Sequence, residues 1–213
     1  MTDRAPSNRT RLRRLHDKAA YDPATIAAIL DAQPLAHVGH LVDGAPTVTP
    51  TLQWRDGDRV YWHGSSASRM IRAAMGQPVC LTVTLLDALV LARSGLEHSV
   101  NFRSVMVFGT AELIRDAAAK TRHLQRMFDQ MLPGRWPQLR PMTAQELKAT
   151  AVLSLPLTEA SAKIGTGMPT DPPEDQSWPV WAGIIPISQG LGLPKADGIP
   201  NGPAPETRRF GST

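Results

Sequence analysis

The sequence predicts a mainly β fold with flanking helices, in which antiparallel strands form a barrel or a sandwich. Three observations predict it. Apolar residues alternate with period two through most of residues 35 to 63 and 79 to 114, the spacing of half-buried strands. Turn signals, Asp43-Gly44 and Asp56-Gly57-Asp58, separate these runs at hairpin intervals. Helical spacing is confined to short segments around and between them. Six or so short strands joined in this way must close or be covered, because bare sheet edges invite aggregation.

The elements follow in order. Asp22-Pro23 caps a helix with Ile26, Ile29 and Leu30 on one face, which Pro34 ends. Leu35 to Val42 is a strand, Asp43-Gly44 a hairpin turn, Thr47 to Trp54 a second strand, and Arg59 to His63 a third. Pro50 cannot donate to a ladder, so it marks a local opening of the sheet. Met70 to Met75 is a short helix closed by Gly76. Val79 to Leu86 and Ala88 to Ala92 are two strands joined around Asp87. Glu97 to Leu113 begins polar and turns apolar, so its strand is expected from Ser104 to Ile114. Asp116 to Met131 is a helix whose Leu124, Met127, Phe128 and Met131 pack as core. Thr143-Ala144-Gln145-Glu146 has the spacing of a capping box before a helix at Glu146 to Thr150, and Ala151 to Leu157 returns to the sheet.

At 213 residues the chain supports one sizeable core. Residues 1–20 are a basic arm, 21–168 the β domain, and 169–213 an extension with nine of the nineteen prolines. That extension carries Trp178, Trp181, Ile184 and Ile185, so it is expected to pack on the barrel or on a partner, with disorder from about Asn201. No run reaches the length of a membrane span, and no secretory apolar segment is visible, so a soluble cytoplasmic protein is expected. Cys80 is the single cysteine, read as core. The net charge of +4 owes much to Arg4, Arg9, Arg11, Arg13, Arg14 and Lys18. Aromatics do not interleave with these basic residues, so nucleic acid is not an expected partner. No His, Asp or Glu spacing suggests a metal, and no Gly-x-Ser-x-Gly elbow is present.

Chemistry concentrates in two stretches. Ser65, Ser66, Ser68 and Arg69 open the short helix with hydroxyls and a guanidinium, a combination suited to an anion, although ordinary serine capping would explain the serines alone. His98, Ser99, Asn101, Arg103 and Ser104 place donors and acceptors beside an apolar strand. A lone histidine in a strand is more often packed or hydrogen-bonded than reactive. His63 still draws notice because it opens the serine loop.

Together, the runs Tyr61-Trp62-His63-Gly64-Ser65-Ser66-Ala67-Ser68-Arg69 and His98-Ser99-Val100-Asn101-Phe102-Arg103-Ser104-Val105 resemble the pyridoxamine 5′-phosphate oxidase-like superfamily, the FMN-binding split barrels. The likeness is closer to the nitroimidazole-resistance-type branch, and it extends to Tyr21-Asp22, Val42 to Thr51, Leu89 to Ser94 and Ala160-Ser161-Ala162-Lys163. It implies a split β-barrel of Greek-key-like antiparallel strands and a homodimer with FMN at the subunit interface. The phosphate is then expected at Ser65, Ser66, Ser68 and Arg69, and Tyr61, Trp62 and His63, which lead into that loop, are expected beside the cofactor as well. Val48, Thr49, Pro50 and Thr51 would line the isoalloxazine with backbone, and Asn101, Arg103, Ser104 and Lys163 would complete the pocket. Ser104 stands where true oxidases of this family carry a flavin-contacting glutamine. The catalytic candidates are His63, then His98.

The implied activity is electron or hydride transfer to a small oxidised substrate such as a nitro-aromatic or a quinone. The alternatives are a flavin carrier or sensor without turnover, and a split barrel holding haem or a deazaflavin. Pyridoxamine phosphate oxidation itself is not expected, since the arginine-rich C-terminal motif is replaced by prolines between residues 170 and 205.

Overall fold

The computed structural model describes residues 4–198 together with Ala204 and Thr207. Ten antiparallel strands form one sheet: β1 (Ala19–Ala20), β2 (Leu35–Val42), β3 (Ala45–Asp56), β4 (Arg59–Ser65), β5 (Pro78–Leu91), β6 (Ser99–Thr110), β7 (Glu112–Leu113), β8 (Thr150–Pro156), β9 (Ala160–Gly165) and β10 (Gly183–Pro186). Their order is β1-β9-β6-β5-β2-β3-β4-β8-β7, with β10 added to β5. Four α-helices accompany them: α1 (Pro23–Ala32), α2 (Arg69–Ala74), α3 (Ala117–Met131) and α4 (Ala144–Ala149).

This is the split barrel. The run from Ser99 to Leu113 pairs β5 and β9 through β6, then pairs β8 through β7. One stretch of chain therefore touches both arms of the sheet and curls it without closing it. The interior is filled by Val38, Val60, Trp62, Leu81, Val105, Val107, Leu153 and Leu155, with Ile26, Ile29 and Leu30 of α1 packed in the same cluster. A second cluster, Trp54, Tyr61, Leu124, Met127 and Val152, joins α3 to the sheet.

Local chemistry explains the joints. Asp22 accepts a 2.8 Å bond from the Thr25 amide, which caps α1 and holds the Asp22 carboxyl below its ordinary value. Asp43 and Gly44 both take positive φ, 51° and 79°, as a tight primed hairpin turn requires. Buried Gln53 donates to the carbonyls of Leu30 and Gln33, tying the end of α1 to β3. The capping box at Thr143 and Glu146 forms as expected, and the helix it opens starts at Ala144, two residues before the start expected there.

Several expectations are corrected. The segments on either side of Asp87 are one strand, β5, with a register shift between Leu86 and Ala88. The bulge absorbs Asp87 while keeping Ala88 and Val90 buried. The polar residues from Ser99 to Ser104 are already strand, because backbone pairing to β5 does not require apolar side chains. Cys80 is half-buried rather than core, since it shares the outward parity of Pro78, Thr82 and Thr84.

The arm lies against its own barrel. Ser7 donates to Glu159, the Leu12 amide donates to the Tyr21 hydroxyl, and Arg9 sits over the Phe108 ring. At the other end, β10 pairs with Ala88 to Leu91, and Arg93 holds Asp171 at 2.8 Å. Trp178 and Trp181 stay largely exposed. The disorder expected from about Asn201 falls outside the described residues, Ala204 and Thr207 apart.

Candidate functional site

The serine loop follows β4 directly. Its backbone is pinned: the Ser66 amide donates to Ala149 O, the Ser68 amide to Ser65 O, and Ser65 Oγ accepts from the Ala67 amide. Ser68 precedes α2 without capping it through its side chain. Arg69 is 78% exposed at the side chain and meets Asp43 of the β2–β3 turn at 3.6 Å. Arg72, one turn further, donates to Ser66 O. Arg72 was not singled out in the sequence, although its spacing from Arg69 puts both guanidinium groups beside the loop.

The Arg69–Asp43 contact sets this loop beside the hairpin that leads into β3. Along β3 only Gln53 to Asp56 pair with β4, so Val48, Thr49, Pro50 and Thr51 have β2 on one side and no strand on the other among the described residues. The opening that Pro50 implied is present. Val48 and Pro50 are exposed, while Thr49 and Thr51 alternate with them and are half-buried.

The second group sits elsewhere in the sheet. Pro50, His37, Thr82, Met106 and Ser161 stand in one row across β3, β2, β5, β6 and β9. Ser104 is two residues from Met106 and pairs with Lys163, so both share the face of Pro50, Ser104 about three strand spacings or ~14 Å away and Lys163 one strand further. Ser104 Oγ donates to Lys163 O at 3.3 Å, and Lys163 Nζ lies 6.0 Å from the Phe102 ring centroid. Arg103 and Asn101 take the opposite parity. Arg103 engages Asp87, and Asn101 donates to Gly167 O.

The histidines differ sharply. His63 is half-buried on β4, its ring 5.9 Å from Trp54, its Nδ1 buried without a hydrogen-bond partner, and burial pushes its pKa below the ordinary value. It is a neutral imidazole at pH 7. His98 lies in the exposed segment before β6, with Nδ1 2.9 Å from Ser94 O. Tyr61 and Trp62 are buried in the two hydrophobic clusters, so their side chains serve packing. Asp87, which holds Arg103, carried no visible sequence signal beyond that of a strand joint.

A single chain therefore brings together the serine loop and the open edge of β3, and it leaves Ser104 and Lys163 as a separate patch on the same face. That face is apolar between them: Leu35, Val48, Leu52, Leu86 and Met106 are all exposed.

Comparison with known proteins agrees with this geometry. The family model for pyridoxamine 5′-phosphate oxidase matches residues 22–164. No curated protein matches the chain. Among solved structures, the flavocytochrome Anf3 from Azotobacter vinelandii is 53% identical, covers 95% of this chain and 95% of its own, and superposes with a TM-score of 0.91. A protein from Mycobacterium smegmatis described as binding FAD and haem is 37% identical over 87% of this chain and 94% of its own, with a TM-score of 0.81. A protein of the 5-nitroimidazole antibiotic resistance type from Bacteroides thetaiotaomicron is 20% identical over 68% of this chain and 86% of its own, with a TM-score of 0.57, a likeness of fold. Among the described residues no helix is long and apolar enough to cross a membrane.

Proposed function

Because this chain belongs to the pyridoxamine 5′-phosphate oxidase family, we propose that it is a redox protein binding both a flavin and a haem and passing electrons to a small oxidised acceptor. The observation that carries this reading is the 53% identity to a flavocytochrome across 95% of both chains. FAD, in place of the FMN expected from the sequence, is the proposed flavin, because the relative at 37% identity is described as binding FAD and haem. The acceptor is proposed by class alone, since the nitroimidazole-resistance likeness is one of fold.

The residues present suit a flavin. Among the described residues Arg69 is held only by a long, solvent-screened contact with Asp43, so it can exchange that carboxylate for a phosphate. Arg72 stands beside the same loop with its own charge, and the hydroxyls of Ser66 and Ser68 can donate to phosphate oxygens. The unpaired edge of β3 offers backbone groups to a heteroaromatic ring edge. His63, kept neutral by burial, can donate or accept one hydrogen bond near the loop without adding charge. When bound, the flavin supplies two-electron chemistry and the haem one-electron chemistry, and the chain's task is to hold and orient them.

The proposal includes a homodimer. The exposed Leu35, Leu52, Leu86 and Met106 form an apolar sheet face of the kind that marks an interface. A second copy over that face would bring the two separated halves of the pocket into one site.

The test is spectroscopic. Purified protein is reconstituted with FAD, FMN and haemin, then reduced anaerobically with NADH or NADPH and exposed to dioxygen, a quinone or a nitroimidazole. Flavin and haem bands that bleach and recover in these steps support the reading. Bands that never respond support a carrier or sensor, and a protein that takes up neither cofactor overturns it.

A further inference from the structure

The basic arm is the feature of the sequence that the flavin site leaves without a role. Arg4, Arg11 and Arg13 line a cavity of about 600 Å³ together with His16, Leu12 and Tyr21. The three arginines form no ion pair among the described residues. Three fixed positive charges therefore border one cup without a carboxylate to balance them. In a free tail they would move apart, because like charges repel.

The fold holds them together instead. Ser7 and Thr10 bond each other across a turn, with Thr10 buried and Ser7 donating to Glu159. The Leu12 amide donates to the Tyr21 hydroxyl at 3.0 Å, which fastens the middle of the arm to the start of the β domain. Leu15 takes φ 54° and ψ 51°, a left-handed conformation that a bulky side chain rarely adopts, and turns the chain between Arg13 and His16. Ala19 then pairs with Lys163 at the edge of the sheet. The repulsion built into this arrangement is offset where an anion sits among the guanidinium groups.

We propose that the cup binds the diphosphate of a nucleotide. Guanidinium forks recognise phosphate oxygens through paired, charge-assisted hydrogen bonds, and a diphosphate has oxygens enough for more than one fork. Tyr21 and Leu12 add a ring and an apolar side chain against which a base can rest. The volume is in the range of small-ligand pockets. Convergence on one cavity also sets the cup apart from a nucleic-acid surface, where cations follow a line of phosphates. It is distinct from the serine loop: the cup precedes β1, Arg69 follows β4, and β9, β6, β5, β2 and β3 stand between those strands. A nucleotide reductant carries such a diphosphate, so the cup takes the electron donor; this donor role rests on the redox reading above, whereas the diphosphate site does not.

The probe is ADP, which has no redox group and so reads the cup apart from turnover. Calorimetry at low salt compares ADP binding to the purified wild-type protein with binding to Arg11→Ala, Arg13→Ala, Arg14→Ala and Arg69→Ala, and repeats the titration with inorganic pyrophosphate. All four positions are exposed, so folding is not at stake. Arg14→Ala removes the same charge from the same arm outside the cup, and Arg69→Ala strips the flavin-phosphate loop. The expected result is a loss of ADP affinity of about 10-fold or more in Arg11→Ala and in Arg13→Ala, a change below about 3-fold in the other two, and weaker binding of pyrophosphate than of ADP. Wild-type protein that binds neither probe overturns the site. A loss in Arg14→Ala equal to that in Arg13→Ala reports a general positive field, an equal loss in Arg69→Ala reports binding in the serine loop, and either overturns it too. Pyrophosphate bound as tightly as ADP overturns the nucleotide. ADP binding of the expected pattern in a protein that takes up no flavin overturns the redox reading and the donor role with it, and leaves the diphosphate site standing.

Discussion

Arg103 grips Asp87 with two guanidinium nitrogens, Nε to Oδ2 at 2.9 Å and Nη2 to Oδ1 at 2.7 Å, at the point where β5 bulges. The carboxylate raises the Arg103 pKa above its ordinary value, and the pair secures the bulge from the neighbouring strand. Asp87→Ala is expected to destabilise the fold by about 1–3 kcal/mol, measured by urea unfolding, while flavin affinity per folded molecule stays at the wild-type level. A large loss of flavin affinity at unchanged stability would return Arg103 to the flavin contact expected from the sequence.

Arg69→Ala should do the reverse. Its side chain is exposed and makes one weak ion pair, so unfolding stability changes by less than ~0.5 kcal/mol. Loss of one charge-assisted phosphate contact, worth ~1.5–3 kcal/mol, raises the flavin Kd roughly 10- to 150-fold. Equal affinities by fluorescence titration would remove the phosphate from this loop.

Trp62 was expected beside the cofactor and is instead fully buried in the barrel interior. Trp62→Ala therefore costs about 3–5 kcal/mol through the cavity it leaves. Thermal melts of the cofactor-free protein should already show the full effect. An effect that appears only with flavin bound would place the indole in the site.

Acid should weaken the fold. Burial pushes the imidazoles of His63 and His123 below the ordinary 6.5, with Asp56 opposing the shift at His123. As pH falls through 6.5 the unfolded chain takes up protons that the folded chain resists, so stability declines on the acid side and is complete above about pH 7. Melting temperatures between about pH 5 and pH 8 should show this slope, and His63→Gln should reduce it. Stability that rises as pH falls through this window would contradict the assignment of neutral buried imidazoles.

Met106 lies in the row of Pro50 and His37 and is 42% exposed in a single chain. Met106→Glu should leave the monomer's circular dichroism unchanged and shift sedimentation towards monomer, with flavin affinity falling in parallel. A variant that remains a dimer would move the interface off this face.

Much of the fold was legible because period-two alternation and turn chemistry are local. Asp22 with Pro23, Asp43 with Gly44 and Thr143 with Glu146 each fix a joint through bonds within a few residues. The bulge at Asp87 was not legible, since it exists only in the pairing of β5 with β6. The same limit hid the site's division. Ser104 and Thr51 read as one pocket in the family likeness, and only the strand order puts β5 and β2 between them.

Native mass spectrometry of the protein reconstituted with FAD and haemin tests the central claim most directly, because one mass reports cofactors and assembly together. The account predicts a dimer carrying FAD and haem, each equimolar with the chain. A species that retains neither cofactor under conditions preserving the dimer would contradict it.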